Sequence, residues 1–151
     1  MRVTREVPVQ TSPSALWTLL WDVARIVECV PGCAEAREID PGRRYTARMT
    51  QKVGPIGFSV ALDVTVAQAE AERRLVLDAR GRDPAVGAEI SMRVSLDIEP
   101  RGGGSLLHID ADGRVLGKLG ALGHGLIERK ADEALAEFGA RLQRIASEPR
   151  C

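Results

Sequence analysis

The chain has 151 residues, of which 44% are apolar and 28% are charged, with 21 basic against 21 acidic side chains. This length and composition indicate one domain with a sizeable core and exclude an intrinsically disordered protein. The balanced charge argues against a nucleic-acid-binding protein, which needs a surplus of basic side chains to neutralise phosphates. No nucleic acid partner is therefore expected.

Neither a membrane-spanning segment nor a secretory leader is visible in the sequence. The longest apolar run extends over only a few residues, and the N-terminus alternates arginine with valine and threonine. These features predict a cytoplasmic protein. The cysteines Cys29, Cys33 and Cys151 form an odd set and are expected to remain reduced thiols. Because no second cysteine pair or well-placed histidine completes four ligands, no metal site is predicted.

The N-terminal part of the chain predicts a strand followed by two short helical segments. Residues 2–9 alternate apolar and polar side chains, and Pro8 indicates a strand at the edge of a sheet. Thr11 or Ser12 supplies a helix N-cap. The helical pattern then continues to a stop at Pro31–Gly32. The predicted buried stripe of the first helix consists of Leu16, Leu19, Leu20 and Val23.

From this stop to Asp112, nearly every segment alternates apolar and polar residues. Turn signals separate these segments at residues 40–42, 54–55, 83–84 and 102–104, where glycine and proline cluster. The pattern predicts a meander of antiparallel strands with one dry face and one wet face.

From about Leu116 to Ile145 the apolar spacing becomes helical. This spacing predicts one helix of about thirty residues, roughly 45 Å long. Its predicted inner stripe consists of Ile127, Ala131, Ala134, Phe138, Leu142 and Ile145. The glycines expected in its first two turns are Gly117, Gly120, Gly123 and Gly125.

The dry face of the sheet has only this last helix to cover it. The sequence therefore predicts an α+β fold, in which a curved antiparallel sheet of about seven strands wraps around the long C-terminal helix, with two short helices after the first strand. A single domain is expected over residues 1–147, followed by a short tail over residues 148–151.

A curved sheet around one helix offers more inward apolar positions than a single helical face fills. This surplus predicts an interior cavity for a ligand, and a filled core is the alternative. Gln51, the one amide on the inward face, is a candidate hydrogen-bond donor to a ligand carbonyl, unless it simply reaches water at a strand end. The predicted apolar lining consists of Met49, Val60, Leu62, Val64, Leu77, Ile90, Met92, Val94, Leu107 and Ile109.

The glycine-rich head of the last helix is the second candidate feature of this cavity. Gly120 and Gly123 are expected on the helical stripe ahead of Ile127. There they would leave room for a ligand or let the helix head move as a lid, and close helix-to-sheet packing is the alternative.

No sequence motif for nucleophilic catalysis or for a cofactor is present. The chain has no Gly-x-Ser-x-Gly elbow, no P-loop and no Gly-x-Gly-x-x-Gly segment. No catalytic residue and no cofactor are predicted, which favours a non-catalytic protein. The polar groups that an enzyme could use near the cavity are Tyr45, Gln51 and His124.

Five short segments, spread over nearly the whole chain, carry a family resemblance. They are Leu16-Trp17 to Leu20 with Asp22, Cys29-Val30-Pro31-Gly32-Cys33, Lys52-Val53-Gly54-Pro55-Ile56, Arg80-Gly81-Arg82, and Val115 to Gly123 followed by Ile127 and Phe138. In this order they resemble CoxG, the carbon monoxide dehydrogenase G-subunit family of the START-like, helix-grip (SRPBCC) superfamily.

The resemblance implies the helix-grip fold, with a START-like ligand-binding domain over residues 1–147. It also implies a non-catalytic accessory protein that binds a hydrophobic small molecule, a quinone or a lipid, and supports a molybdenum hydroxylase and its coupling to the membrane. Relatives carry an anchoring tail beyond the domain, whereas this sequence ends at Cys151. Membrane contact at the inner face is therefore expected to be at most transient.

Two alternatives remain open, because one fold can host several functions. The first is a small enzyme, similar to polyketide cyclases or dehydratases, that uses the same apolar cavity. The second is a protein–protein adaptor with a filled core, for which Trp21 and the hairpin at residues 54–57 are candidate contact points.

Overall fold

The computed structural model describes residues 1–147, apart from the side chain of His124. The predicted tail over residues 148–151, including Cys151, lies outside the described residues. The elements in chain order are β1 (Arg2–Val9), α1 (Pro13–Trp21), α2 (Val23–Glu28), β2 (Cys33–Asp40), β3 (Arg44–Val53), β4 (Ile56–Glu70), β5 (Arg74–Asp83), β6 (Ala88–Arg101), β7 (Gly104–Gly117), a 3₁₀ turn (Gly120–Leu122) and α3 (His124–Ser147).

All the strand pairs are antiparallel and form one sheet with the order β1-β7-β6-β5-β4-β3-β2. Strands β2 to β7 pair with their neighbours in sequence, and β1 closes the order by pairing with β7. Pro8 therefore lies in an edge strand, as its missing N–H predicts. A bulge in β4 between Val66 and Gln68 shifts the pairing with β5, and bulges of this kind bend a strand. The predicted fold class, a curved seven-stranded sheet with a long C-terminal helix, is confirmed.

The first helix begins where the sequence predicts it. The Ser12 hydroxyl accepts a hydrogen bond from the N–H of Ala15 at 3.1 Å, which satisfies one of the free N–H groups of the first turn. All four residues of the predicted buried stripe, Leu16, Leu19, Leu20 and Val23, are buried.

The last helix begins later than predicted. Gly117 is the final residue of β7, with φ +81°, and Gly123 has φ +96° just before α3 begins at His124. Both backbone angles are incompatible with a right-handed helix, so the predicted start at Leu116 is wrong. Of the four glycines assigned to the helix head, only Gly125 lies in α3, and the helix of 24 residues is about 36 Å long.

Helix α3 crosses the inner face of the sheet from one corner to the opposite edge. Near its start, Leu126 Cδ2 lies 3.1 Å from the position that a Cβ atom on Gly54 would occupy, in the turn between β3 and β4. Near its end, a Cβ atom on Gly139 would lie 3.0 Å from Cγ2 of Val7 in β1, and the Gln143 amide donates to the Pro8 carbonyl at 2.8 Å. These contacts fix both ends of the helix and leave its middle over the central strands.

The buried side chains form two clusters rather than one. The helix-pair cluster joins α1 and the C-terminal half of α3 to one end of the sheet, through Leu16, Leu20, Leu75, Leu96, Leu107, Ile109, Phe138 and Leu142. The hairpin cluster occupies the other end, around Tyr45, Val53, Phe58, Val60, Leu62, Val64, Ile90 and Leu119.

Candidate functional site

The middle of the concave sheet face is more open than its two ends. The strand register places Gly113, Met92, Ala79 and Val64 in one row across β7, β6, β5 and β4, and Ala111, Val94, Leu77 and Val66 in the next. On the same strands, the inward positions farther out are buried, including Ile90 and Gly81 on one side and Leu96 and Leu75 on the other. In contrast, five inward positions of the two central rows stay partly exposed: Met92, Ala79, Gly113, Val94 and Leu77.

The helix offers only small side chains over this region. Ala131 lies at the centre of the inner stripe of α3, one turn from Ile127 and two turns from Phe138. It belongs to neither cluster and is partly exposed, although its position faces the sheet. Ala134, one turn farther on, is likewise small and partly exposed. We define the hollow as the space bordered by Met92, Ala79, Gly113, Val94 and Leu77 of the sheet and by Ala131 of α3.

The structure divides the predicted lining among three places. Met92, Val94 and Leu77 border the hollow. Leu107 and Ile109 belong to the helix-pair cluster, and Ile127 is buried on α3 toward the hairpin end. The others lie in or against the hairpin cluster: Met49, Val60, Leu62, Val64 and Ile90.

The glycines predicted to open the helix head do not lie on α3. Gly120 is in the 3₁₀ turn, where an added Cβ atom would be 2.4 Å from the Val115 carbonyl oxygen. Gly123 has open space around it and a positive φ, so its backbone angle rather than a ligand explains the residue. The structural alternative of close packing therefore describes Gly120.

The inward polar groups are engaged by the backbone. The Gln51 side-chain amide donates to the Pro31 carbonyl, so this candidate donor holds the end of the helix pair against β3. Tyr45 is buried, and its hydroxyl accepts the N–H of Gly42 at 3.1 Å. The side chain of His124 lies outside the described part of the structure. Neither Gln51 nor Tyr45 is arranged as a catalytic acid or base facing the hollow.

The two described cysteines are held as protonated thiols. Burial raises the pKa of Cys33, which begins β2, to about 11. Burial is also the largest cause of the raised pKa of Cys29, at the end of α2. A thiol of this kind is a poor nucleophile and a poor metal ligand, because both roles need the thiolate. Among residues 1–147, no group of three or more histidine, cysteine or acidic side chains is arranged to hold a metal ion.

Alkylation of Cys33 at pH 8 is expected to be slow. With a pKa of about 11, its thiolate fraction at that pH is roughly 100-fold smaller than for a thiol near 9. Timed iodoacetamide labelling, with mass-spectrometric fragmentation to assign the label, measures the rate, and glutathione labelled in parallel provides the reference. Labelling of Cys33 as fast as glutathione would contradict the burial of this thiol.

An open groove lies beside the hairpin end of the helix. It has a volume of about 720 Å³ and is lined by Thr50, Gln51, Lys52, Gly57, Phe58, Ser59, Asp83 and Lys130. Lys130 reaches it from α3, and the other side chains come from β3, β4 and the end of β5. The Asp83 carboxylate accepts the N–H groups of Ser59 at 2.9 Å and of Ala85 at 3.1 Å, so both of its oxygens are used by the backbone.

Sequence reasoning missed the small residues of the hollow. Apolar spacing places Ala79 and Ala131 on inward faces but does not show that they leave a gap, and Gly113 follows from the alternation of β7. The signal that could have found them is small side chains at successive inward positions, because they leave unfilled volume under a helix. Lys52 and Lys130 gave no signal, because their approach depends on the path of α3.

Helix hydropathy bears on membrane contact. In the described part of the chain, no helix combines the length and the hydropathy needed to cross a bilayer.

Solved structures share the fold over almost the full chain. A conserved protein from Geobacillus kaustophilus superposes with a TM-score of 0.87 at 16% identity, covering 97% of this chain and 95% of that one. A protein from Chromobacterium violaceum gives 0.72 at 12% identity, covering 99% of both chains. A protein from Mycobacterium smegmatis gives 0.68 at 14% identity, covering 95% of this chain and 89% of that one. At these identities the likeness shows the fold alone.

Comparison at the level of sequence gives the family. No functionally curated protein matches the chain significantly. The sequence profile of CoxG, the G subunit of carbon monoxide dehydrogenase, matches residues 6–147, which is nearly the whole of the described fold. The chain therefore belongs to the carbon monoxide dehydrogenase G-subunit (CoxG) family.

Proposed function

We propose that this protein is a non-catalytic accessory protein that encloses an apolar small molecule, a quinone or a lipid, in the hollow beneath α3. Membership of the family suggests an accessory role to carbon monoxide dehydrogenase. The proposed partner is accordingly a molybdenum hydroxylase of that type, which the protein serves at the cytoplasmic side of the membrane.

One observation carries the proposal: side chains in the middle of the sheet stay partly exposed although a helix passes over them. A fully packed core would bury Met92, Val94 and Leu77 as completely as it buries Leu96 and Leu107. Apolar walls with few polar groups are typical of sites for hydrophobic ligands. A ligand there would remove this apolar surface from water at about 25 cal/mol per Å².

The rival enzyme function finds less support in the site. Its candidate groups Tyr45 and Gln51 bind the backbone rather than facing the hollow. The adaptor function with a filled core finds less support as well, because the partly exposed central rows are what a filled core lacks. Trp21 is 37% exposed but stacks on Trp17 with ring centroids 5.5 Å apart, so this pair already shares an apolar contact.

Native mass spectrometry of the freshly purified protein, before and after extraction with organic solvent, tests the proposal. We expect a bound mass in the range of a quinone or a lipid that disappears on extraction. The extracted protein should then bind the neutral probe N-phenylnaphthylamine and release it when decylubiquinone or dodecanol is added. An empty protein that binds none of these compounds after mild purification would refute the carrier function.

A further inference from the structure

The groove beside the hairpin carries two cationic side chains that no described residue neutralises. Within residues 1–147, no hydrogen bond or ion pair engages Lys52 or Lys130. They are two of only three lysines in the chain. The one acidic side chain of the groove, Asp83, has both carboxylate oxygens occupied by backbone N–H groups. The remaining lining is polar or small, including Thr50 and Ser59.

The groove lies next to the hollow along the same helix. Lys130 precedes Ala131 and is one turn from Ala134, so about 6 Å of helix separates the cationic group from the roof of the hollow. The side-chain positions of Ile127, Lys130, Ala131 and Ala134 lie on one side of α3, at spacings of three and four residues. A chain molecule lying under α3 toward the hairpin would therefore bring its end near Lys130.

We infer that the groove binds the anionic head group of an amphiphile whose apolar chain occupies the hollow. This inference rests on the proposed function and narrows its ligand to a molecule with a carboxylate or phosphate at one end. Two ammonium groups on flexible stems suit such a head group, because each adds a charge-assisted hydrogen bond. A neutral ligand would leave both lysines without a partner.

Matched ligands with the same chain test this inference. Displacement of N-phenylnaphthylamine from the extracted protein is measured with dodecanoate and with dodecanol, each below its aggregation limit. We expect the wild-type protein to bind dodecanoate about tenfold tighter than dodecanol at low salt. The double variant Lys52→Gln with Lys130→Gln should bind both equally, with its dodecanol affinity unchanged.

The third lysine provides the matched control. Lys118 is exposed and lies against Gly87 in the turn between β5 and β6, outside the groove lining. The Lys118→Gln variant should keep the preference for dodecanoate. Equal affinity of the wild type for both ligands, or a preference that survives in the double variant, would overturn the inference and leave the apolar carrier intact. Failure of both ligands to bind would overturn the carrier function as well.

Inorganic phosphate distinguishes a free anion from the head of an amphiphile. It carries the charge without an apolar chain, so at 100-fold excess over dodecanoate it is expected to leave dodecanoate bound. Displacement of dodecanoate by phosphate alone would show a site for free anions and would overturn the assignment to an amphiphile.

Discussion

Replacing Gly32 with alanine is expected to lower the free energy of unfolding by roughly 3 kcal/mol or more. Gly32 has φ +82°, and an added Cβ atom would lie 2.2 Å from the Thr50 carbonyl oxygen and 2.7 Å from Nε2 of Gln51. The same turn holds the hydrogen bond from the Thr50 N–H to the Gly32 carbonyl and the one from Gln51 to Pro31. The substitution therefore adds backbone strain and separates the helix pair from β3. Urea denaturation followed by circular dichroism measures the loss.

Gly103→Ala separates the two causes. Gly103 has a similar φ, +87°, but nothing lies within 4 Å of an added Cβ atom. Only the strain of a left-handed alanine remains, about 1 kcal/mol. If Gly103→Ala and Gly32→Ala cost the same, the close approach of Gly32 to β3 does not contribute to stability.

Truncation of Leu142 to alanine is expected to cost about 3–5 kcal/mol, because the side chain is fully buried in the helix-pair cluster and its removal leaves a cavity. Met92→Ala removes a side chain of similar size that borders the hollow and is already partly exposed. Its cost should be only about 1–2 kcal/mol. The same denaturation measurement compares the two variants. A cost for Met92→Ala equal to that for Leu142→Ala would mean that the centre of the sheet is packed as tightly as its end.

The sheet and its faces follow from the sequence because strand alternation is a local property. Each run from β3 to β7 carries its inward apolar side chains at every second residue, and turn residues separate the runs. Pro8 and Ser12 likewise act within a few residues, at a sheet edge and at a helix start.

The start of α3 could not be read from apolar spacing. Leu116, Leu119 and Leu122 recur every third residue, which suits a helix but also a strand end followed by a 3₁₀ turn. Two glycines decide the outcome, since Gly117 and Gly123 adopt positive φ values that interrupt a helix. Each marks the end of an element, which is a common use of glycine.

The extent of the hollow depends on tertiary packing and therefore could not be predicted from the sequence. Alternation shows that Val60 and Met92 both face inward, but it does not show which of them α3 covers. That depends on the diagonal path of the helix from Gly54 to Val7. The two clusters close both ends of the inner face, and only the middle remains open.

Filling the hollow from the helix tests most directly whether it is the ligand site. Ala131→Leu adds apolar volume at the centre of the inner stripe, and Ala140→Leu adds the same volume on the exposed face of α3. If the hollow is unfilled, Ala131→Leu should unfold at the same or a higher temperature than the wild type and bind N-phenylnaphthylamine at least tenfold more weakly, while Ala140→Leu changes neither. If Ala131→Leu is instead destabilised by about 1–3 kcal/mol, as overpacking of a filled core requires, and still binds the probe normally, the hollow is not the ligand site.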